Sequence, residues 1–423
     1  RSFHQEDQVM TKAATGAEGV RWDLSGLYSG SDDPALEHDI QFVEQKAKVF
    51  RSTYQGKLAT LLGAAITDYA ALQSRMYKVV YYLSLRQSVA LDDEAVKTAL
   101  DAAERRITAA VGEHLTFFEL EIVSLEQASL DRLMGDEGDE TVIRYAPWIA
   151  QVRLFKPHLF AEPIEAALVK RSPFGPGSWA QFFDEVEADL RFEFAGEKKI
   201  ISEITEIANY DRDPSVRAAA LKVLNDGLAG SFAKYSAQTL NMVVGHKRIE
   251  DKERGYAHPM AAVNLANMVP DKVVESLHDA VVRRAALLAR RWYVLKARLL
   301  GMERLRWSDR NAKLPFVAAD TVTWQEAVDI VTAAYRSFSP TLEALVRKLV
   351  AERTIDAPAV PGKRSGAFNS SCVLPDGRTA SFTLLNYLGT LDDVSTLAHE
   401  LGHAVHFLLA GEAQGPLMFG MPT

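Results

Sequence analysis

Apolar residues recur at three- and four-residue spacing along most of this chain, the mark of helices that bury one face and wet the other. The first such stretches are Leu36 to Phe50 and Tyr69 to Ser88, and the spacing continues from Ala95 to Leu125. Proline and glycine then interrupt it at Pro147, Pro157 and Pro163. The run Ser172-Pro173-Phe174-Gly175-Pro176-Gly177 predicts a loop, because a helix cannot pass through it. Leu190 to Phe194 alternates apolar and charged side chains like a short strand, and after Asp213-Pro214 helical spacing resumes to about Val244. From Val281 to Leu300 a further helix carries Val281, Ala285, Leu288, Trp292, Leu295 and Leu299 on one stripe. Its other face holds Arg284, Arg291 and Arg298 and reads as solvated. Helices are expected at Trp324 to Phe338 and Leu342 to Arg353, then a loop around Pro358 and Pro361-Gly362.

Beyond that loop the period changes. Ala367 to Leu374 and Arg378 to Asn386 flank Pro375-Asp376-Gly377, a turn sequence whose glycine can take positive φ, and together they predict a hairpin. Thr390-Leu391-Asp392-Asp393 then has the form of a capping box opening a helix. That helix buries Leu391, Val394, Leu397, Ala398, Leu401, Val405 and Leu408 and has Gly411 as its natural stop. The fold class expected is therefore mainly α, with a small β-sheet next to the last helix.

Composition narrows the function. The 423 residues, 48% of them hydrophobic, suffice for two or three globular units. Lys and Arg number 48 against 56 acidic residues, a net charge of −8, opposite to what a polyanion demands, so no nucleic-acid partner is expected. Cys372 is the single cysteine; it excludes an internal disulfide, makes cysteine ligation of zinc implausible and, as a default, is a buried structural residue in a reducing, cytoplasmic compartment. Residues 1–20 read as a flexible N-terminus without the apolar core of a secretory signal, with Met10 a candidate start. No run of 18 apolar residues occurs, so neither a spanning helix nor a membrane partner is expected.

The chemistry lies in the last helix. His399, Glu400 and His403 satisfy H-E-x-x-H, and four residues of α-helix bring two imidazoles back to within about 40° of one another, so both can grip one metal ion. Glu400 is one residue off that line, beside a metal and not on it, where a general base belongs. Neutral imidazoles suit Zn2+, which lowers the pKa of a bound water to about 7. A third protein ligand is harder to find. His406 is seven residues from His399, about 10.5 Å along the helix, too far for convergence. Glu412 follows the expected helix stop and reads as a surface residue, while His406 and Leu409 stand where the metzincin extension has glycine and histidine, which excludes that class. G-x-S-x-G, P-loop and G-x-G-x-x-G signatures are all missing from the sequence.

Three runs carry a family resemblance: Gly362-Lys363-Arg364-Ser365-Gly366-Ala367-Phe368, then Leu385-Asn386-Tyr387 with Gly389-Thr390-Leu391-Asp392-Asp393-Val394, then His399-Glu400-Leu401-Gly402-His403-Ala404. They resemble oligoendopeptidase F, within the thimet oligopeptidase family of zinc metallopeptidases. Weaker likeness reaches back through Ala257-His258-Pro259-Met260, Phe117-Phe118-Glu119-Leu120-Glu121 and Trp22-Asp23-Leu24-Ser25-Gly26-Leu27-Tyr28.

The resemblance implies a helical, clam-like zincin with a deep channel and a small sheet beside the zinc, cleaving short unstructured oligopeptides. Its third zinc ligand would be a glutamate on the helix after the motif, and its oxyanion-steadying tyrosine and histidine lie later still. All three fall beyond Thr423. The chain thus looks like the N-terminal two-thirds of such an enzyme, with an N-terminal helical lobe at 21–200 and a catalytic lobe at 201–423 that is incomplete at its C-terminus. A companion C-terminal polypeptide is the expected partner. Gly366, Ala367 and Phe368 open the segment Gly366 to Ser371, the candidate edge strand that would pair with substrate backbone. Two alternatives stay open: a non-catalytic scaffold or peptide-binding homologue, and a zinc hydrolase of another kind, such as an amidase.

Overall fold

The computed structural model describes residues 15–135, 137–316 and 321–420; the Met10 start and the end of the chain at 421–423 lie outside them. The first helix, α1 (Pro34–Tyr54), is capped by the Asp33 side chain and starts on proline, which has no N–H to lose there. It buries Leu36, Ile40, Val43, Ala47, Phe50 and Tyr54, the expected stripe, against α2 (Leu58–Ser88). The continuous helix expected to Leu125 is two, α3 (Glu94–His114) and α4 (Thr116–Ser124). Leu115 separates the two, and α4 then buries the adjacent Phe117 and Phe118 together with Ile122 and Val123.

Shorter helices follow: α5 (Gln127–Leu133), α6 (Glu140–Arg144), α7 (Ala146–Leu154), α8 (Glu162–Arg171) and α9 (Pro176–Ala188). The proline-rich loop expected before α9 is a single 3-10 turn, Ser172–Phe174, and Pro176 opens the helix itself. Ala195 and Gly196, both at positive φ, close a hairpin of β1 (Phe192–Phe194) and β2 (Glu197–Lys199). Next come α10 (Ile201–Tyr210), α11 (Pro214–Leu228), α12 (Ser231–Glu253), α13 (Ala261–Ala266) and α14 (Asp271–Leu299). Gly230, at φ 77°, divides the helix expected to run on from Pro214. The apolar stripe on α14 finds no cover among the described residues: Leu288 is 62% exposed and Trp292 46%.

The remaining elements build the part that holds the motif: α15 (Trp324–Phe338), α16 (Pro340–Ala351), β3 (Ile355–Pro358), β4 (Phe368–Val373), β5 (Thr379–Tyr387) and α17 (Leu391–Gln414). The expected hairpin is β4–β5, closed by Gly377 at φ 84°. Ile355 to Pro358, leading into the loop expected around Pro358 and Pro361-Gly362, is a third strand parallel to β5, giving the order β3-β5-β4. Proline is tolerated there because β3 is an edge strand. Side chains on one face of the sheet, Cys372, Phe382 and Leu384, join the core of α1 to α4, with Phe382 edge-on to Trp22 at 6.0 Å. On the other face Leu385 and Tyr387 meet Val331, Leu349, Leu397 and Leu401 from α15 to α17. The small sheet beside the motif helix is thus a shared wall between two helical layers. No helix among the described residues is long and apolar enough to cross a membrane.

Two expectations follow. Gly411 does not stop α17, which continues to Gln414 and ends at Gly415, φ 76°. Gly411 is instead buried where the helix crosses β5, and a Cβ there would fall on the Thr379 side chain. Gly411→Ala should lower stability by about 1–3 kcal/mol in urea denaturation, and an unchanged midpoint would refute this close approach. Cys372 is buried, and burial pushes its thiol up to about 12. Ellman's reagent should leave the native thiol unmodified and label it promptly in guanidinium; native labelling at the rate of a free thiol would contradict the packing.

Candidate active site

Three sets of contacts place α17. At its start the reciprocal cap forms as expected: the Asp393 N–H donates to Thr390 Oγ1 at 3.0 Å, and the Asp393 carboxylate accepts from the N–H of Thr390 at 2.8 Å and of Leu388 at 3.0 Å. One turn further, the Tyr335 hydroxyl donates to the Ala398 carbonyl at 2.9 Å. Gly402 leaves room for it, since a Cβ would lie 3.1 Å from that hydroxyl. Along the helix Leu397, Leu401, Ala404 and Val405 are buried, which turns His399 and His403 out of the core.

The two imidazoles converge. Their Nε2 atoms are 3.0 Å apart, with the rings at 88° to one another. Two nitrogen ligands about 2.05 Å from a tetrahedral zinc would sit roughly 3.3 Å apart, so the pair fits one ion with little adjustment. The same separation suits an N–H···N hydrogen bond between neutral rings. Glu400, one residue round the helix, is 7% exposed. His406 is exposed, edge-on to Phe407, and Glu412 is exposed in the last turn of α17. Among the described residues no three His, Cys, Asp or Glu side chains are grouped to hold a metal.

Beside this face lies a cavity of about 440 Å3. Asp392 and Thr396 of α17 form one wall, and His399 and His403 lie one and two turns further along the helix, beyond the residues that line the cavity. Gly366 and Ala367 form a second wall. Thr205, Asn209 and Tyr210 of α10 form the third, and the Tyr210 hydroxyl reaches across to Asp392 at 3.1 Å. Burial and that carboxylate push the Tyr210 phenol up to about 12. No local pattern pointed to these α10 residues, because they meet Asp392 across 182 positions of sequence.

The loop that presents Gly366 is held from below. Lys363 is buried, and its ammonium donates to the Asp356 carboxylate at 2.6 Å and to the carbonyls of Pro358 at 2.9 Å and Asp356 at 3.1 Å. Burial lowers its pKa to about 8 although Asp356 pulls the other way. Arg21 approaches the same carboxylate at 3.1 Å. The Asn386 amide donates to the carbonyls of Arg364 at 2.9 Å and Gly366 at 2.8 Å, and Ser365 donates to Glu187 of α9. Of the three residues named for substrate, Gly366 and Ala367 reach the cavity. Phe368 does not: its ring packs into the first core, because its register opposite Leu384 faces that side. β4 is an edge strand of its sheet, and the Tyr81 hydroxyl donates to its Ser370 carbonyl at 2.6 Å.

With this geometry in place, comparison with known proteins gives the class. The model of peptidase family M3 matches residues 207–421, and that of oligopeptidase F matches residues 121–192. The chain therefore belongs to peptidase family M3. It is 24% identical to an oligoendopeptidase F homolog of Lactococcus lactis and 24% identical to the oligopeptidase PepF of Bacillus subtilis, matching 95% of its own length in each case. It spans 66% and 59% of those relatives' lengths. The solved oligoendopeptidase-F of Enterococcus faecium shares the fold, with a TM-score of 0.61 at 18% identity over 75% of this chain and 65% of that one.

The anchoring of the Gly366 loop is testable. Lys363→Met leaves the buried Asp356 carboxylate with the partly exposed Arg21 alone, and should cost about 3 kcal/mol in equilibrium denaturation. Adding Asp356→Asn should recover part of that loss. A single variant as stable as the parent would show that the pair does not hold the loop.

Proposed function

We propose that this chain carries the metal-binding helix and part of the substrate cleft of a zinc-dependent oligoendopeptidase. The observation that supports this best is the convergence of His399 and His403 Nε2 at 3.0 Å on α17, the helix whose Asp392 and Thr396 line the neighbouring cavity. His399 and His403 would hold the ion. Bound zinc supplies a Lewis acid that polarises a scissile carbonyl and acidifies water. Glu400 takes a proton from the attacking water and returns it to the leaving amine. The backbone at Gly366 and Ala367 hydrogen-bonds an extended peptide as an added strand, a recognition that reads main chain and so tolerates many side chains. An extended peptide must be unfolded, which makes short oligopeptides the substrate class and compact native proteins poor ones.

Two imidazoles leave a catalytic zinc one protein ligand short. In this reading the third ligand and the oxyanion donors come from polypeptide corresponding to the part of the relatives that this chain does not span. Failing that supply, the lack of a three-ligand cluster among the described residues favours a non-catalytic peptide-binding protein.

The deciding experiment measures zinc by elemental analysis and cleavage of quenched fluorescent peptides. It is run on residues 1–423 alone and on the same chain together with the remaining third of a relative-length enzyme. The extended form should bind one zinc and cleave; Glu400→Gln in it should keep the metal and lose at least about a hundredfold in kcat. His403→Ala should lose the metal. Retention of most activity by Glu400→Gln would remove the general-base role, and a zinc-free extended protein would favour the binding-protein alternative.

A further inference from the structure

The long helix α14 stands apart from the rest of the chain. No helix or strand among the described residues packs along it, and every position from Glu275 to Leu295 is exposed. Only Lys296 and Ala297, near its end, are buried, with the Lys296 ammonium donating to the Arg310 carbonyl at 2.7 Å. Helices draw most of their stability in water from an apolar face buried against a neighbour, and this one presents such a face bare. Val281, Ala285, Leu288, Trp292, Leu295 and Leu299 alternate by four and three residues, the spacing of a seam that takes a second helix. Arg284, Arg291 and Arg298 do not oppose that seam. At about 100° per residue they run beside it, roughly 40° to 80° round from Leu288, and exposed Leu287 and Val294 lie on their far side. The three therefore form a row, one every seven residues, inside an apolar surface. Each is exposed and has no ion-pair partner among the described residues. From Ala280 to Leu300 the helix carries five arginines, one lysine and no carboxylate, within a chain of net charge −8.

We propose that α14 docks an amphipathic helix with an apolar seam and a row of carboxylates facing Arg284, Arg291 and Arg298, and that this helix belongs to the polypeptide corresponding to the third of the relatives that the chain does not span. Charge decides the kind of partner. Covering the seam takes the arginine row out of water, which is tolerable only if each guanidinium meets a carboxylate. A second copy of α14 cannot supply one: antiparallel pairing sets arginine against arginine, and parallel pairing sets the row against Ala289 and Lys296. A lipid surface fits poorly as well, because helices that lie on membranes keep their cations on the face opposite the apolar one, whereas here the row has apolar side chains on both sides. The source of the partner helix rests on the peptidase reading, in which the unspanned polypeptide joins this chain; the chain spans 66% of the Lactococcus lactis relative. The acidic character of the partner rests on α14 alone.

The test is amide hydrogen exchange along α14, read by mass spectrometry on residues 1–423 and on the same chain extended by the remaining third, with the zinc content of the extended protein measured beside it. Amides from Val281 to Leu299 should exchange readily in the short form and be protected at least about tenfold more in the extended one. Arg284→Glu, Arg291→Glu and Arg298→Glu together, all at exposed positions, should remove that gain, and Leu288→Lys should remove it from the seam. Arginine to lysine at the same three positions keeps the charge and should keep most of the protection. Arg283→Glu with Arg290→Glu, on the opposite face, should leave it unchanged. Protection in a zinc-free extended protein would sink the peptidase reading and support this one; bound zinc with no gain along α14 would do the reverse. Protection that survives the triple reversal, or that falls equally in the opposite-face variant, would overturn the proposal. So would protection that grows with concentration in the short form, which would assign the face to a second copy. Protection of the extended protein only on adding phosphatidylserine vesicles would assign it to a lipid surface.

Discussion

The burial of β5 on both faces is the constraint from which the geometry of the candidate site follows. Phe382 and Leu384 point into the core of α1 to α4, while Leu385 and Tyr387 point into that of α15 to α17. A strand so placed has no freedom of register, because a one-residue slip would exchange the two sets of side chains and misfit both layers. The helix α17 lies on one side of this strand and buries Leu397, Leu401, Ala404 and Val405. Once that stripe is inside, the helical period turns His399 and His403 away from the core. Close approach at Gly411 and Gly402 sets the depth at which the helix rides, against Thr379 on one side and Tyr335 on the other.

The second requirement is a fixed loop between β3 and β4, and it is met by polar groups that would be costly if unpaired. Lys363 is fully enclosed, yet each of its strong contacts is to an oxygen: one carboxylate and two carbonyls. Asn386 then spends both amide protons on the carbonyls of Arg364 and Gly366. The loop is thereby tied to the sheet by Lys363 and Asn386 and to α9 by the Arg364–Asp184 and Ser365–Glu187 contacts. Rigid support of this kind is what a backbone-reading edge needs, since a mobile edge would lose in ordering entropy what its hydrogen bonds gain.

Much of this was legible in the order of residues alone. The capping box at Thr390, the turn at Gly377 and the i, i+4 pair of histidines are local devices. Their partners lie within a few positions, so short-range geometry is enough to read them. The buried stripes of α1 and, apart from the exposed Leu391 in its first turn, of α17 were equally plain, because amphipathic spacing directly encodes which face is inside. Local patterns failed where burial was decided by distant partners. Leu115 divides an apparently continuous helix, and Ile355 to Pro358, unremarkable as a sequence, becomes a strand only because β5 offers it an edge. Gly411 looked like a helix stop and is a point of contact, a distinction made by Thr379 across the sheet.

By itself, then, the sequence determined a helical protein with a hairpin feeding a capped helix on which two imidazoles and a carboxylate take the positions of a zinc peptidase motif. Each of those features is enforced by interactions within a few residues. The tertiary structure alone decided that Gly366 and Ala367, but not Phe368, reach the cleft, and that Tyr210 and Asn209 form its far wall. These outcomes depend on which surfaces meet once the layers have packed, and the spacing of residues along a chain carries no record of that.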